Sequence, residues 1–197
     1  LELMVERAIA MAKDAPQDKH AGLASVNQLA KQRDLSELEI CDPATEPSPN
    51  KLQEQAEIAE SSAMEVVGVS QVSGASASYG KYSVFMAASN GFTANYDRSS
   101  NSVSCVAIAG EGSSMERDYD ADTRVYQSDL RPSDEIGRTA GLRAVERLNP
   151  RRPATGNYPV IYDERISSGL VGHFLSAING AAITRGSSWL KDSLGKQ

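Results

Sequence analysis

Among the residues of this chain that could do chemistry, two histidines, two cysteines and a serine set in a row of glycines come first. Ser168 and His173 bracket the run Ser168-Gly169-Leu170-Val171-Gly172-His173. A serine nucleophile needs a base within hydrogen-bond reach and an oxyanion hole. Five positions of regular helix put His173 about 140° around the axis from Ser168, which argues against that pairing. A hydrolytic zinc needs two or three nitrogen or sulfur ligands and a carboxylate beside the metal-bound water. His20 falls in the region of a proline-rich arm and His173 in a helical pattern, so no local histidine pair can hold a metal. His173 is then either a hydrogen-bonding group toward a partner or peptide, or a satisfied histidine at the edge of an apolar face. Cys41 and Cys105 lie far apart in unlike contexts; they suggest neither a metal-type pair nor a disulfide framework, and a reducing compartment is the natural setting.

The element that must position Ser168 and His173 begins at Tyr158. Pro159 opens the apolar run Val160-Ile161-Tyr162, which predicts a short buried strand. Asp163 can then cap a helix starting near Glu164, an acidic residue favourable at that positive end. Ile166, Leu170, Phe174 and Ile178 fall along one arc, widened by Val171 and Leu175, so about half of the helix is expected to be buried. Gly169, Gly172, Ser176 and Gly180 form a second flank of very small side chains beside His173. Such a flank admits a close neighbour at a cost in helix propensity. That neighbour is either this chain's own sheet or an extended peptide.

At these residues the chain resembles the TldD/PmbA family, also called the modulator of DNA gyrase family. There the catalytic zinc-protease subunit carries His-Glu-x-x-x-His on the corresponding segment, and the sibling PmbA, or TldE, subunit does not. Laid on that motif, Ser168 stands where the first histidine would be, Gly169 replaces the glutamate, and only the last histidine is retained, as His173. The segments Ala182 to Gln197, Met115 to Tyr119 and Ser128 to Leu130 are also similar to the family's. The resemblance spans roughly residues 55 to 197 and is most specific at the end.

What it implies is a non-catalytic PmbA/TldE-type subunit of a cytoplasmic zinc metalloprotease complex. No cofactor is expected in this chain; zinc is expected in a TldD-like catalytic sibling. The pair would take unfolded or extended peptides, with links to microcin maturation, antitoxin turnover and, indirectly, DNA gyrase. Ser168, Gly169, Gly172, His173 and Ser176 would face substrate or partner, with no catalytic or metal-ligating residue in the chain itself. The alternative is a gyrase-modulating binding or adaptor protein without a proteolytic role. The resemblance also suggests an internal piece of a longer protein, with a C-terminal domain continuing past residue 197.

Composition is consistent with that outline. A chain of 197 residues that is 40% hydrophobic can bury a core. A net charge of −6 disfavours direct nucleic-acid contact. No apolar run approaches the roughly 20 residues needed to span a bilayer, so no membrane partner is expected. Arg143, Arg147, Arg151 and Arg152 read as a solvated basic face near a helix end. Met115-Glu116-Arg117-Asp118-Tyr119 reads as alternating charge on an exposed strand. Trp189, in a polar turn, reads as a core or subunit-contact anchor.

Taken in order, the spacing predicts a packing helix over residues 1–14 and a proline-rich arm to residue 50. A helix over 49–63 follows, with Leu52, Ala56, Ile58 and Ala59 as its stripe. Four β-branched or aromatic runs, 65–72, 81–87, 91–96 and 103–109, predict a meander turning at Gly74, Tyr79-Gly80, Asn90-Gly91 and Ser99 to Asn101. A further strand pair is expected over 115–119 and 123–128. A helix from Ser133 would bury Ile136, Ala140, Leu142, Ala144, Val145 and Leu148. The fold class is α+β: an antiparallel meander flanked by helices, followed by the strand-helix motif segment. Three regions are expected: 1–50, the helix and arm; 51–157, the helix, sheet and helix; and 158–197, the motif segment.

Overall fold

The computed structural model describes residues 2–16 and 22–196; His20 lies outside them. Two compact units are formed, Leu1–Pro150 and Arg151–Gln197. The first is α+β, a three-stranded antiparallel sheet whose strands lie side by side in chain order, with helices. Helix α1 (Glu2–Asp14) forms as its spacing predicts, yet none of its residues is buried, and among the described residues the expected packing is not seen. Among its described residues the arm contains only 3-10 turns, at Val26–Gln28 and Ser36–Leu38.

Helix α2 (Pro49–Met64) has Pro49 at its start and the Ser48 hydroxyl accepting the Lys51 N–H at 3.3 Å. Both features suit a helix N-terminus, where the first N–H groups lack partners. Its buried stripe is Ala59, Ser62 and Ala63, shifted from the expected one.

The four expected runs become two long strands, β1 (Val69–Ala87) and β2 (Thr93–Ala109). Only Asn90-Gly91 turns. Gly91 takes φ 86°, its N–H reaches the Ala88 carbonyl at 3.0 Å, and the Phe92 N–H reaches Asn90 Oδ1 at 3.1 Å. The chain runs straight through Tyr79-Gly80 because the Tyr82 ring lies over Gly80: a Cβ there would stand 3.0 Å from Tyr82 Cε2. An aromatic neighbour of this kind supplies the packing a strand glycine lacks. At Gly74 the punctuation produces a register shift rather than a turn. The expected second strand pair is one strand, β3 (Glu116–Arg124), followed by a 3-10 turn at Gln127–Asp129.

Helix α3 (Ser133–Glu146) starts with Pro132 in the capping position and no side-chain cap, so Ser133 does not serve as one. It buries Ile136, Gly137, Ala140, Gly141 and Ala144; Leu142 points to solvent, 50% exposed. The core is Ala59 and Ala63 of α2, Val103, Cys105, Ala107 and Ala109 of β2, and Ile136, Ala140 and Ala144 of α3. Small side chains on three elements draw the layers together, and at Gly137 contact is closest. A Cβ there would overlap the Ala59 carbonyl oxygen, and one on Gly141 would meet Val66 Cγ2 at 2.8 Å. Two glycines four apart therefore let α2 and α3 touch backbone to backbone.

In the second unit, helices α4 (Glu164–Ala177) and α5 (Gly180–Thr184) form. Residues 158–162 are not a strand, and Val160 and Ile161 are 71% and 96% exposed. A strand needs a neighbour for its hydrogen-bond ladder, and no β-strand is described in residues 151–196.

Candidate functional site

Helix α4 begins as the sequence indicates. Asp163 Oδ1 accepts the Arg165 N–H at 3.0 Å and also the Arg165 Nε–H at 3.0 Å. Its C-terminal end is fixed by Ser188, a buried residue whose hydroxyl donates to the Ala177 carbonyl and accepts the Leu190 N–H at 2.9 Å. Between these ends the expected half-burial fails. Ala177 is the one buried residue of α4, while Ile166, Leu170 and Phe174 are 57%, 48% and 54% exposed. Trp189 is 74% exposed, so it is not a core residue of this unit.

Ser168, Gly169, Gly172, His173 and Ser176 are all exposed on α4. Among the described residues nothing approaches within 4 Å of a Cβ built on Gly169, Gly172 or Gly180. The imidazole of His173 and the hydroxyl of Ser168 make no hydrogen bond among the described residues, and Ser168 has no base beside it. These residues do not fit a zinc site: one nitrogen donor stands there, with no carboxylate to take a proton from a bound water. Among the described residues no group of three or more histidines, cysteines, aspartates or glutamates could hold a metal ion.

The polar array that sequence reasoning misread lies between β3 and α3. Asp118, Asp120 and Asp122 are buried, 5%, 4% and 9% exposed, at the positions of β3 that pair with Ala107, Cys105 and Val103. They face the helices with the core. Asp120 binds Arg143 Nη1 at 2.6 Å and Arg131 Nη2 at 2.7 Å. Asp118 binds Arg147 Nε at 2.6 Å. Asp122 accepts the Arg131 backbone N–H at 2.9 Å and pairs with Arg124 at 3.0 Å.

Asp118 of the run at 115–119 is therefore buried rather than exposed, and of the expected basic face Arg143 is only 23% exposed whereas Arg147, at 54%, is solvated. Both belong to a row of ion pairs that closes one side of the core. The available signal was Asp118-x-Asp120-x-Asp122, three carboxylates with the two-residue period that puts them on one face of a strand. Burial works against charge on Asp122, but the Arg131 N–H and Arg124 outweigh it and hold its pKa below the ordinary carboxylate value. Burial, with Glu60 and Asp120 nearby, pushes the Cys105 thiol up to about 11, which leaves it protonated and inert. Cys41 and Cys105 are both free thiols.

Comparison with known proteins gives this geometry its context. The family described as PmbA/TldA metallopeptidase central domain matches residues 40–148, and its C-terminal domain matches residues 155–197. The metalloprotease PmbA of Escherichia coli is 35% identical over 196 residues, 98% of this chain and 42% of that protein. The PmbA homologue of Haemophilus influenzae is 32% identical over 194 residues, again 42% of its length. The chain thus spans less than half of the relatives it matches. A Bacteroides thetaiotaomicron structure, described as a candidate modulator of DNA gyrase, has the same fold at a TM-score of 0.82 and 24% identity, covering 99% of this chain and 45% of that one. TldE of Thermococcus kodakarensis shares the fold at a TM-score of 0.61 and 17% identity, over 95% of this chain and 42% of that one. No helix among the described residues is long and apolar enough to cross a membrane.

Proposed function

The chain belongs to the PmbA/TldD metallopeptidase family, and on that premise we propose that it is part of the partner subunit that lacks the zinc site. Its α4 would help line the peptide cleft of a complex whose zinc sits in a TldD-like sibling. The observation that carries this reading is the content of α4. Ser168 and Gly169 stand at the first two motif positions and His173 at the last, all three exposed on one helix, with nothing among the described residues within 4 Å of a Cβ built on Gly169 or Gly172. A glycine cannot accept a proton from a metal-bound water, so water activation falls to the sibling. A face of small side chains lets an extended peptide backbone lie close to the helix. His173, with an imidazole that can donate or accept, would hydrogen-bond that peptide or the sibling's cleft wall. A cytoplasmic setting agrees with two free thiols.

Co-expression with a subunit carrying His-Glu-x-x-x-His tests the proposal. The expected result is co-purification, zinc retained through dialysis only by the sibling, and cleavage of an unstructured peptide by the pair but not by this protein by itself. One equivalent of zinc held by this protein without the sibling, and lost in His173→Ala, would overturn it.

A further inference from the structure

The first unit contains a gap in its sheet edge that the cleft reading does not use. Strand β3 ends at Arg124, paired with Asn101, so β2 residues before Asn101 have no β3 neighbour. The arm covers that edge instead, at its Ser99 and Thr93 ends, and at Ser99 the Asp42 N–H also donates to the hydroxyl at 2.7 Å. The Ser99 N–H reaches the Ile40 carbonyl at 3.1 Å, and Arg33 Nη1 reaches the Thr93 carbonyl at 3.1 Å while its guanidinium lies 5.3 Å from the centre of the Phe92 ring.

Along a strand, backbone groups point to alternate sides with a period of two. Asn95 and Asp97 therefore turn their N–H and C=O groups to the same side as Ser99, toward the arm. No hydrogen bond from the described arm residues meets them. Here Glu39 of the arm takes the left-handed region at φ 49°, and an open cavity of about 540 Å³ lies between arm residues 33–43 and Asn95 to Asp97. Its walls include Asp34, Glu39 and Asp97 against a single cation, Arg33, and Arg33 is already committed to Phe92 and Thr93.

We propose that this gap is a strand-addition slot for an extended peptide segment of about three residues bearing a basic side chain. Strand addition satisfies unpaired edge groups through the incoming backbone, while side chains find pockets on alternate sides. Asn95 and Asp97 offer two donors and two acceptors, and three strand residues cover about 10 Å, the length of edge they present. The carboxylates supply the complement for a lysine or arginine. Because the slot is built within residues 33–126 and needs neither metal nor sibling, it stands or falls apart from the function proposed above.

The test is an NMR titration with acetyl-Val-Lys-Val-amide, read at the backbone amides of Asn95 and Asp97. The same peptide N-methylated at every residue should bind about tenfold more weakly, since its backbone can no longer donate. Acetyl-Val-Glu-Val-amide, and the Lys peptide on Glu39→Lys, should each lose about threefold at low salt. Asn95→Pro removes one gap-facing N–H at a position where an edge strand tolerates proline, and should weaken binding while the fold persists. If that variant misfolds, the methylated peptide still decides on the unaltered protein. Equal binding of the methylated peptide, shifts centred elsewhere, or no binding of the Lys peptide at millimolar concentration would each overturn the proposal.

Discussion

Helices α3 and α4 carry small residues at similar density and use them oppositely. In α3, Gly137 and Gly141 are buried against α2, and any side chain on Gly137 would displace the Ala59 carbonyl. In α4, Gly169 and Gly172 meet nothing within 4 Å among the described residues. A glycine inside a helix costs about 1 kcal/mol relative to alanine. In α3 that cost is offset within the fold by close packing of two helices and a sheet. In α4 no packing among the described residues of its unit offsets it, and this imbalance motivates the proposed cleft.

The largest expected effect comes from filling the α3 contact. Gly137→Leu should lower unfolding stability by more than about 3 kcal/mol, because the obstruction is backbone rather than a movable side chain. Denaturant unfolding followed by far-UV circular dichroism would measure it. A loss under about 1 kcal/mol would mean that α2 and α3 can separate freely, and the contrast between the helices would collapse.

Asp120→Asn should come next, at about 2 kcal/mol. The carboxylate is 6% exposed and joins two arginines, but their side chains are 31% and 23% exposed, so solvent recovers part of what breaking a buried pair costs. The same unfolding curves would show it.

A smaller effect depends on pH. Since the folded pKa of Asp122 is depressed, its contribution is fully present above the ordinary carboxylate pKa of about 4 and is lost as pH falls through the lower folded value. Stability measured downward from pH 5 should therefore decline less steeply in Asp122→Asn than in the parent protein. An unchanged slope would remove Asp122 from the acid-sensitive set.

The sequence pattern was most legible where one local signal decided the outcome. Asn90-Gly91 gave the hairpin because a glycine at positive φ is a local requirement, and Asp163 gave the start of α4 because capping involves only adjacent residues. Errors arose where the decision was tertiary. Tyr79-Gly80 looked like a turn until the Tyr82 ring covered the glycine. Asp118 looked like surface charge because its partner, Arg147, comes from later in the chain, and Asp120 and Asp122 went unremarked for the same reason: Arg131 and Arg143 are also later. The apolar arc of α4 correctly marked an amphipathic helix. Periodicity states that a face seeks cover and not which chain supplies it, so half-burial within residues 151–196 did not follow. Of the candidate site, the residue types at 168–176 were legible, but their bareness was not.

Gly169→Leu has the smallest expected effect on stability and bears most directly on the central claim. Helix propensity favours leucine over glycine, and no atom stands in its way, so thermal melts should differ from the parent by no more than about 1 kcal/mol. Measured in the pair reconstituted with a His-Glu-x-x-x-His subunit, the account predicts an unchanged melt, intact pairing and reduced cleavage of an extended peptide. Full cleavage together with a large loss of stability would contradict it, and would make the small flank of α4 an ordinary packing surface.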